Sequence, residues 1–352
     1  MIHPIPSGTR DVLPDELREL RAIEERIRAA FDDAGYGEIA TPALEFETVL
    51  ARGNVAATHP SHRFLDEHGT VLVLRSDMTL PIARVVATRY ATTEPPLRFC
   101  YVAPVYRTVR PARGQARELR QAGVELIGSG APDGTAEALS LLCATLDAVG
   151  LGRYRIGLGD ASLYPSLLDG LGVPDDARDE LLTHLVARDF VALERAVARL
   201  GIGGSDAALL ATLPQLRGGV EVLERAAAGT GTSAVETAVG GIRRVLERVD
   251  DAVAARVILD LGLSAGLDYY TGAVFEVYDP ALGSPLGAGG RYDELLGRFG
   301  RPLPAVGFAL DLEFLHQALM REEQLRDSGE GAGAMEVEMP AARAPRTRRS
   351  GR

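Results

Sequence analysis

Arg117-Glu118-Leu119-Arg120-Gln121-Ala122-Gly123-Val124-Glu125-Leu126-Ile127-Gly128 is the stretch on which the fold turns. Its apolar residues read as a β-strand, and Gln121, Gly123 and Glu125 recur at period two, which puts them on one strand face. Gly123 leaves space between two polar groups, so the row suits either a binding surface or a solvated face. Upstream, Leu97-Arg98-Phe99-Cys100-Tyr101 opens a second strand that runs to Arg107. A polar loop through Gly114 joins the two, giving an antiparallel pair.

Working outward, strand-like runs at 70–75, 154–158, 256–261, 267–278 and 305–310 extend the pair into a largely antiparallel sheet. After Pro14, Leu17, Leu20, Ile23, Ile27, Ala30 and Phe31 fall at helical spacing, with Asp15 and Glu16 placed at the positive end of the helix. That predicts an amphipathic helix lying on the sheet, and 135–149 reads as another. The stretch from about 162 to 253 is nearly all helical in pattern and interrupts the strands, as an inserted domain does. From about 321 the chain turns charged, then rich in Gly, Ala, Pro and Arg, which predicts a disordered tail over 321–352. The expected organisation is an α+β core over 1–320, interrupted by the helical insertion at about 162–253.

Composition bounds the function. The chain has 352 residues, 46% of them hydrophobic, enough for a large core. It has no apolar run long enough for a membrane span, and its charged first twenty residues do not form a signal peptide; the expected location is cytoplasmic. Cys100 and Cys143 are the only cysteines, too few for a disulfide framework and without zinc-site spacing, and are expected to be buried. His59, His62 and His68 sit among Pro60, Ser61 and Gly69, a loop composition, so no metal is assigned to them. All 38 basic residues are arginine. The net charge of -11 becomes about -16 once the five arginines after Met339 are set aside, which argues against general nucleic-acid affinity.

Other stretches follow in order. Gly35-Tyr36-Gly37-Glu38-Ile39-Ala40-Thr41-Pro42-Ala43-Leu44-Glu45 follows the first helix and ends a strand at proline. Phe64-Leu65-Asp66 precedes Leu74-Arg75-Ser76-Asp77-Met78-Thr79, a strand end whose Asp77 can present a carboxylate to a ligand or cap the helix that follows. Tyr269 and Tyr270 lie in Gly266-Leu267-Asp268-Tyr269-Tyr270-Thr271-Gly272, ahead of the glycine-rich Gly287-Ala288-Gly289-Gly290-Arg291-Tyr292-Asp293. Last comes Gly307-Phe308-Ala309-Leu310-Asp311-Leu312-Glu313-Phe314-Leu315.

Together these stretches resemble the histidyl-tRNA synthetase family over nearly the whole ordered chain. The resemblance implies a class II aminoacyl-tRNA synthetase-like antiparallel sheet flanked by helices, and a homodimer through the Gly35 to Glu45 stretch. By the same resemblance, Asp77 and Thr79 would meet a ligand's α-ammonium group, with aspartate standing where synthetases carry glutamate. Arg107 would face the α-phosphate of ATP, Gln121 and Glu125 would contact histidine, and Tyr269 and Tyr270 would close over its imidazole ring. The glycine-rich run would form a turn that lets backbone approach the ligand.

Two departures from that pattern concern catalysis. A synthetase carries arginine where Ala265 stands and again where Phe314 stands, and Asp311 replaces a glycine. Preorganised cations stabilise the charge of phosphoryl transfer, and losing one costs on the order of 100-fold to 1,000-fold in rate. No anticodon-binding domain, no catalytic residue and no cofactor are expected. The selective loss is similar to that in the regulatory paralogues of the family, which partner a short-form ATP phosphoribosyltransferase catalytic subunit in the first step of histidine biosynthesis. That resemblance implies allosteric regulation by L-histidine in a hetero-oligomer, with no tRNA or membrane as partner. A truncated synthetase and an orphan histidine-binding module are the alternatives.

Overall fold

The computed structural model describes residues 5–53, 61–108, 116–228, 233–263 and 269–328. The chain begins α1 (Pro14–Asp33), β1 (Gly37–Glu38), β2 (Leu44–Phe46), α2 (Glu47–Leu50), β3 (Arg63–Leu65), β4 (Val71–Leu74) and α3 (Thr79–Arg89). The hairpin β5 (Leu97–Tyr106) and β6 (Glu118–Ile127) follows, then α4 (Asp133–Val149) and β7 (Arg155–Asp160). A helical block comes next: α5 (Leu163–Gly170), α6 (Asp175–Val186), α7 (Phe190–Arg199), α8 (Gly204–Thr212), the short β8 (Arg217–Gly218), α9 (Glu221–Ala228), α10 (Ser233–Leu246) and α11 (Asp251–Ala254). β9 (Val257–Asp260), β10 (Ala273–Tyr278), β11 (Gly287–Arg291), α12 (Leu295–Arg298), β12 (Ala305–Asp311) and α13 (Leu312–Asp327) complete it.

Nine strands form the main sheet in the order β1-β5-β6-β12-β11-β10-β7-β9-β8. Every pairing is antiparallel except β1 with β5 and β7 with β9, so the architecture is the expected α+β one. The β5–β6 hairpin sets the registers that matter, pairing Tyr101 with Gly123, Phe99 with Glu125 and Ala103 with Gln121. On one face Cys100, Ala122, Val124 and Leu126 join the core under α1, α4 and α13. On the other, Phe99, Tyr101, Ala103, Val105 and Ile127 join a second cluster with α3 and α12. This alternation is the period-two pattern of a strand buried on both sides.

α1 forms for local reasons: Pro14 sits in its first turn, Asp15 and Glu16 complement its dipole, and Leu20, Ile23, Ile27 and Phe31 are buried against the core. Each such side chain contributes roughly 1.5–3 kcal/mol on burial. Both cysteines are free and buried.

Several elements differ from expectation. β4 pairs with β2 and β3 in a separate three-stranded sheet, because its hydrogen-bonding edges are taken by neighbours close in sequence. The glycine-rich run is no turn but strand β11, wedged between β10 and β12. A Cβ on Gly289 would lie 2.5 Å from the Phe275 ring, and one on Gly287 would overlap the Ala309 carbonyl, so only glycine lets these strands close up. β10 starts at Ala273 rather than 267, and 264–268 lie outside the described residues. Arg321–Asp327, expected to begin a disordered tail, are helical, because Glu322 faces inward and accepts the backbone N–H groups of Gly152 and Arg153; the remainder from 329 lies outside the described residues.

Candidate ligand-binding site

The turn after β4 is held from several sides. The buried Arg75 guanidinium donates to the Thr41 carbonyl at 2.6 Å and the Pro104 carbonyl at 2.9 Å, while the Tyr106 N–H donates to the Arg75 carbonyl at 2.9 Å. Arg107 Nε donates to the Ser76 carbonyl at 3.3 Å. The turn is thereby fixed against β5, and it aims Asp77 and Thr79 across the sheet. Asp77 Oδ1 accepts the Leu80 N–H at 3.0 Å, so the carboxylate does cap α3. Its Oδ2 accepts from the Ser76 hydroxyl at 3.4 Å. Thr79 Oγ1 donates to Glu125 Oε1 at 2.6 Å, and the Tyr292 hydroxyl donates to Glu125 Oε2.

Three glycines on adjacent strands make the floor. A Cβ on Gly123 of β6 would lie 2.5 Å from the Tyr101 hydroxyl, and one on Gly290 of β11 would lie 2.8 Å from the Tyr270 ring. One on Gly307 of β12 would overlap the Glu125 carboxylate. The sheet is stripped of side chains where a tyrosine, a carboxylate and a second tyrosine lie across it. Tyr269 stacks edge-on against both Tyr270 and Tyr292, at centroid distances of 5.1 and 5.8 Å.

Burial dominates the electrostatics. Glu125, 2% exposed, is pushed up to about 7 by desolvation, against the hydrogen bonds from Thr79 and Tyr292, with Asp77 adding repulsion. Asp77 is also raised by burial, opposed by the Leu80 N–H and the Arg107 charge. Arg107 is lowered by burial while Asp77 and Asp311 favour its charge; among the described residues it forms no ion pair. Burial raises Tyr101, Tyr269, Tyr270 and Tyr292 above the usual phenol range.

The structure therefore brings Asp77, Thr79, Arg107, Glu125, Tyr269 and Tyr270 together on one face of the sheet. Gln121 sits on the same face farther along β6, opposite Asp311, and its side chain makes no hydrogen bond to another described residue. Sequence reasoning missed Tyr101 and Tyr292. A large residue facing a strand glycine across the hairpin was the available signal for Tyr101. None existed for Tyr292, whose partner is remote in sequence. Two carboxylates, a cation, amide and hydroxyl groups, and aromatic walls suit a small zwitterion carrying an aromatic or imidazole side chain.

The positions that depart from catalysis divide in two. Phe314 packs against the core, and Asp311 caps α13 by accepting the Glu313 and Phe314 N–H groups at 3.0 and 3.1 Å. Ala265 lies outside the described residues, as does His59.

Residues 8–315 match the family described as histidyl-tRNA synthetase. A Moorella thermoacetica protein named ATP phosphoribosyltransferase regulatory subunit is 42% identical over 88% of this chain and 80% of its own length. A Symbiobacterium thermophilum protein of the same name is 41% identical over 91% and 80%. A Bacillus halodurans structure titled ATP phosphoribosyltransferase regulatory subunit/histidyl-tRNA synthetase superposes with TM-score 0.84 at 31% identity, covering 94% of this chain and 92% of that one. A histidyl-tRNA synthetase from Nostoc, at 20% identity over 94% and 76%, shares the fold with TM-score 0.75.

Proposed function

Because the chain belongs to the ATP phosphoribosyltransferase regulatory subunit family, a branch of the histidyl-tRNA synthetase-like fold, we propose that it is the non-catalytic partner of a short-form ATP phosphoribosyltransferase. In that role it is required for the catalytic subunit's activity in histidine biosynthesis and helps transmit feedback by L-histidine. The observation that supports this reading is selective: Asp77, Thr79, Arg107, Glu125, Tyr269 and Tyr270 gather on one face of the sheet, while Phe314, partly buried against the core, stands where a synthetase carries the cation that holds ATP.

The geometry supports the loss of adenylation in a second way. Asp311 caps α13 within electrostatic reach of Arg107, so a triphosphate there meets the repulsion of a carboxylate that offsets the Arg107 cation. L-histidine fits the remaining groups. Its α-ammonium group meets Asp77 and Thr79, its carboxylate meets Arg107, and its ring lies between Tyr269, Tyr270 and Glu125. The assembly is a hetero-oligomer built on a homodimer through the segment after α1, with no role for tRNA.

Two measurements on one preparation test this. The chain mixed with the short catalytic subunit is expected to elute as a single complex, and the chain alone to show no histidine-dependent ATP–pyrophosphate exchange. Exchange at a synthetase's rate would restore the truncated-synthetase reading.

A further inference from the structure

The end of α13 is held to the sheet by a buried carboxyl group. Glu322, 5% exposed, turns inward, where its Oε2 accepts the Gly152 N–H at 3.0 Å and its Oε1 accepts the Arg153 N–H at 2.7 Å, both in the connection between α4 and β7. Beside it, Arg321 donates from Nη1 to the Ala281 carbonyl in the connection between β10 and β11. That connection is itself tied by Asp279, 1% exposed, whose Oδ1 accepts the Ala281 N–H at 2.8 Å and whose carbonyl accepts the Leu282 N–H at 3.0 Å. Three parts of the chain, far apart in sequence, thus meet at two carboxyl groups.

The two groups confront each other. Asp279 Oδ2 is buried and meets no donor among the described residues, and the side chain within hydrogen-bonding reach of Asp279 is Glu322, whose own oxygens already accept two backbone N–H groups. Two buried acceptors in contact are costly unless a proton stands between them. The neighbouring cations do not supply the missing donor. Arg321, Arg326 and Arg256 donate to the carbonyls of Ala281, Glu322 and Gly152, with Asp147 of α4 standing 4.0 Å from Arg256. Arg153 acts on Asp279 through its charge, and among the described residues no arginine forms an ion pair with either carboxyl group. Burial pushes Asp279 up to about 6; the Ala281 N–H opposes the rise, Glu322 adds to it and the Arg153 charge resists it.

We propose that Asp279 and Glu322 share one proton and form a latch: with Asp279 protonated, its Oδ2 donates to the Glu322 carboxylate and fastens the end of α13 and the β10–β11 connection to the sheet, and with Asp279 ionised the two carboxylates repel and both segments loosen. The proton passes between Asp279 and solvent, and no other bond changes. Because the folded pKa lies above the ordinary 3.8, the stabilisation is fully present below about 3.8 and is lost as pH rises through about 6. The effect is local, since the pair holds one helix end and one connection. It is independent of what the ligand site binds.

Hydrogen–deuterium exchange of the full chain reads the latch directly, because the N–H groups of Gly152, Arg153 and Ala281 are the donors that hold its two carboxyl groups. With the intrinsic pH dependence of exchange divided out, protection of these amides and of 323–327 is expected to fall roughly tenfold between pH 5 and pH 7.5, beyond any change in β6, which carries Glu125. In Asp279→Asn the side-chain amide donates to Glu322 at any pH, so the protection native at pH 5 should persist to pH 7.5. Glu322→Gln, which removes the charge that Asp279 faces, should lower protection overall but leave it equally flat with pH. Native protection that stays level with pH, or that falls no further than that of β6, overturns the proposal, as does a pH dependence that survives in both variants.

Discussion

Glu125 concentrates the chemistry of the site in one carboxyl group. Its pKa is about 7 when folded against an ordinary value of 4.5, so folding favours the protonated form. The stability this contributes is fully present below about 4.5 and is lost as pH rises through about 7, a difference of a few kcal/mol. The native chain is therefore expected to lose stability to urea between pH 5 and 8 relative to Glu125→Gln, which cannot ionise; parallel pH profiles for the two would contradict this. A cationic ligand reverses the bias, so L-histidine binding near pH 7 should release protons, seen as a binding enthalpy that depends on the buffer's ionisation heat. The floor gives a second prediction. Gly307→Ala forces its Cβ against the Glu125 carboxylate and should destabilise the fold by about 1–3 kcal/mol, measured by urea unfolding, while weakening the ligand. Glu125, Gln121 and the intervening glycine were legible in the sequence because strand alternation fixes which residues share a face. The carboxylate's donor from Tyr292 was not, because that contact joins residues 167 apart in the chain.

At the scale of elements, the β5–β6 hairpin was readable because both strands are long and patterned, whereas β11 was not. Glycine is depleted in strands, and a run of it reads as a turn unless the neighbouring strands are known to crowd it. The small sheet of β2, β4 and β3 escaped for a different reason: hydrophobic pattern identifies a strand but not its partners. Asp311 shows how one substitution acts on a whole element. It is the N-cap of α13, so Asp311→Ala should cost about 1 kcal/mol in urea unfolding. It also frees Arg107 from one of its two nearby carboxylates. If Asp311→Gly matched Asp311→Ala in cost, the cap would not be the cause, since glycine at an N-cap loses only a few tenths of a kcal/mol.

At the scale of the molecule, a sheet that gathers Asp77, Thr79, Arg107, Glu125, Tyr269 and Tyr270 on one face is flanked by a helical block that shares its hydrophobic core, and at their joint Asp260 pairs with Arg188 and Arg217. The order of motifs made the family legible from the sequence, but the joint was invisible, since Arg188, Arg217 and Asp260 lie in separate elements. On the histidyl-tRNA synthetase-like fold, Phe314 packs against the core and Asp311 caps α13. The most direct measurement is phosphoribosyl-ATP formation by the short catalytic subunit, alone and with this chain, across a range of L-histidine. The account predicts activity only in the mixture, with inhibition by L-histidine that is lost in Glu125→Ala. A catalytic subunit that is equally active and equally inhibited on its own would contradict it.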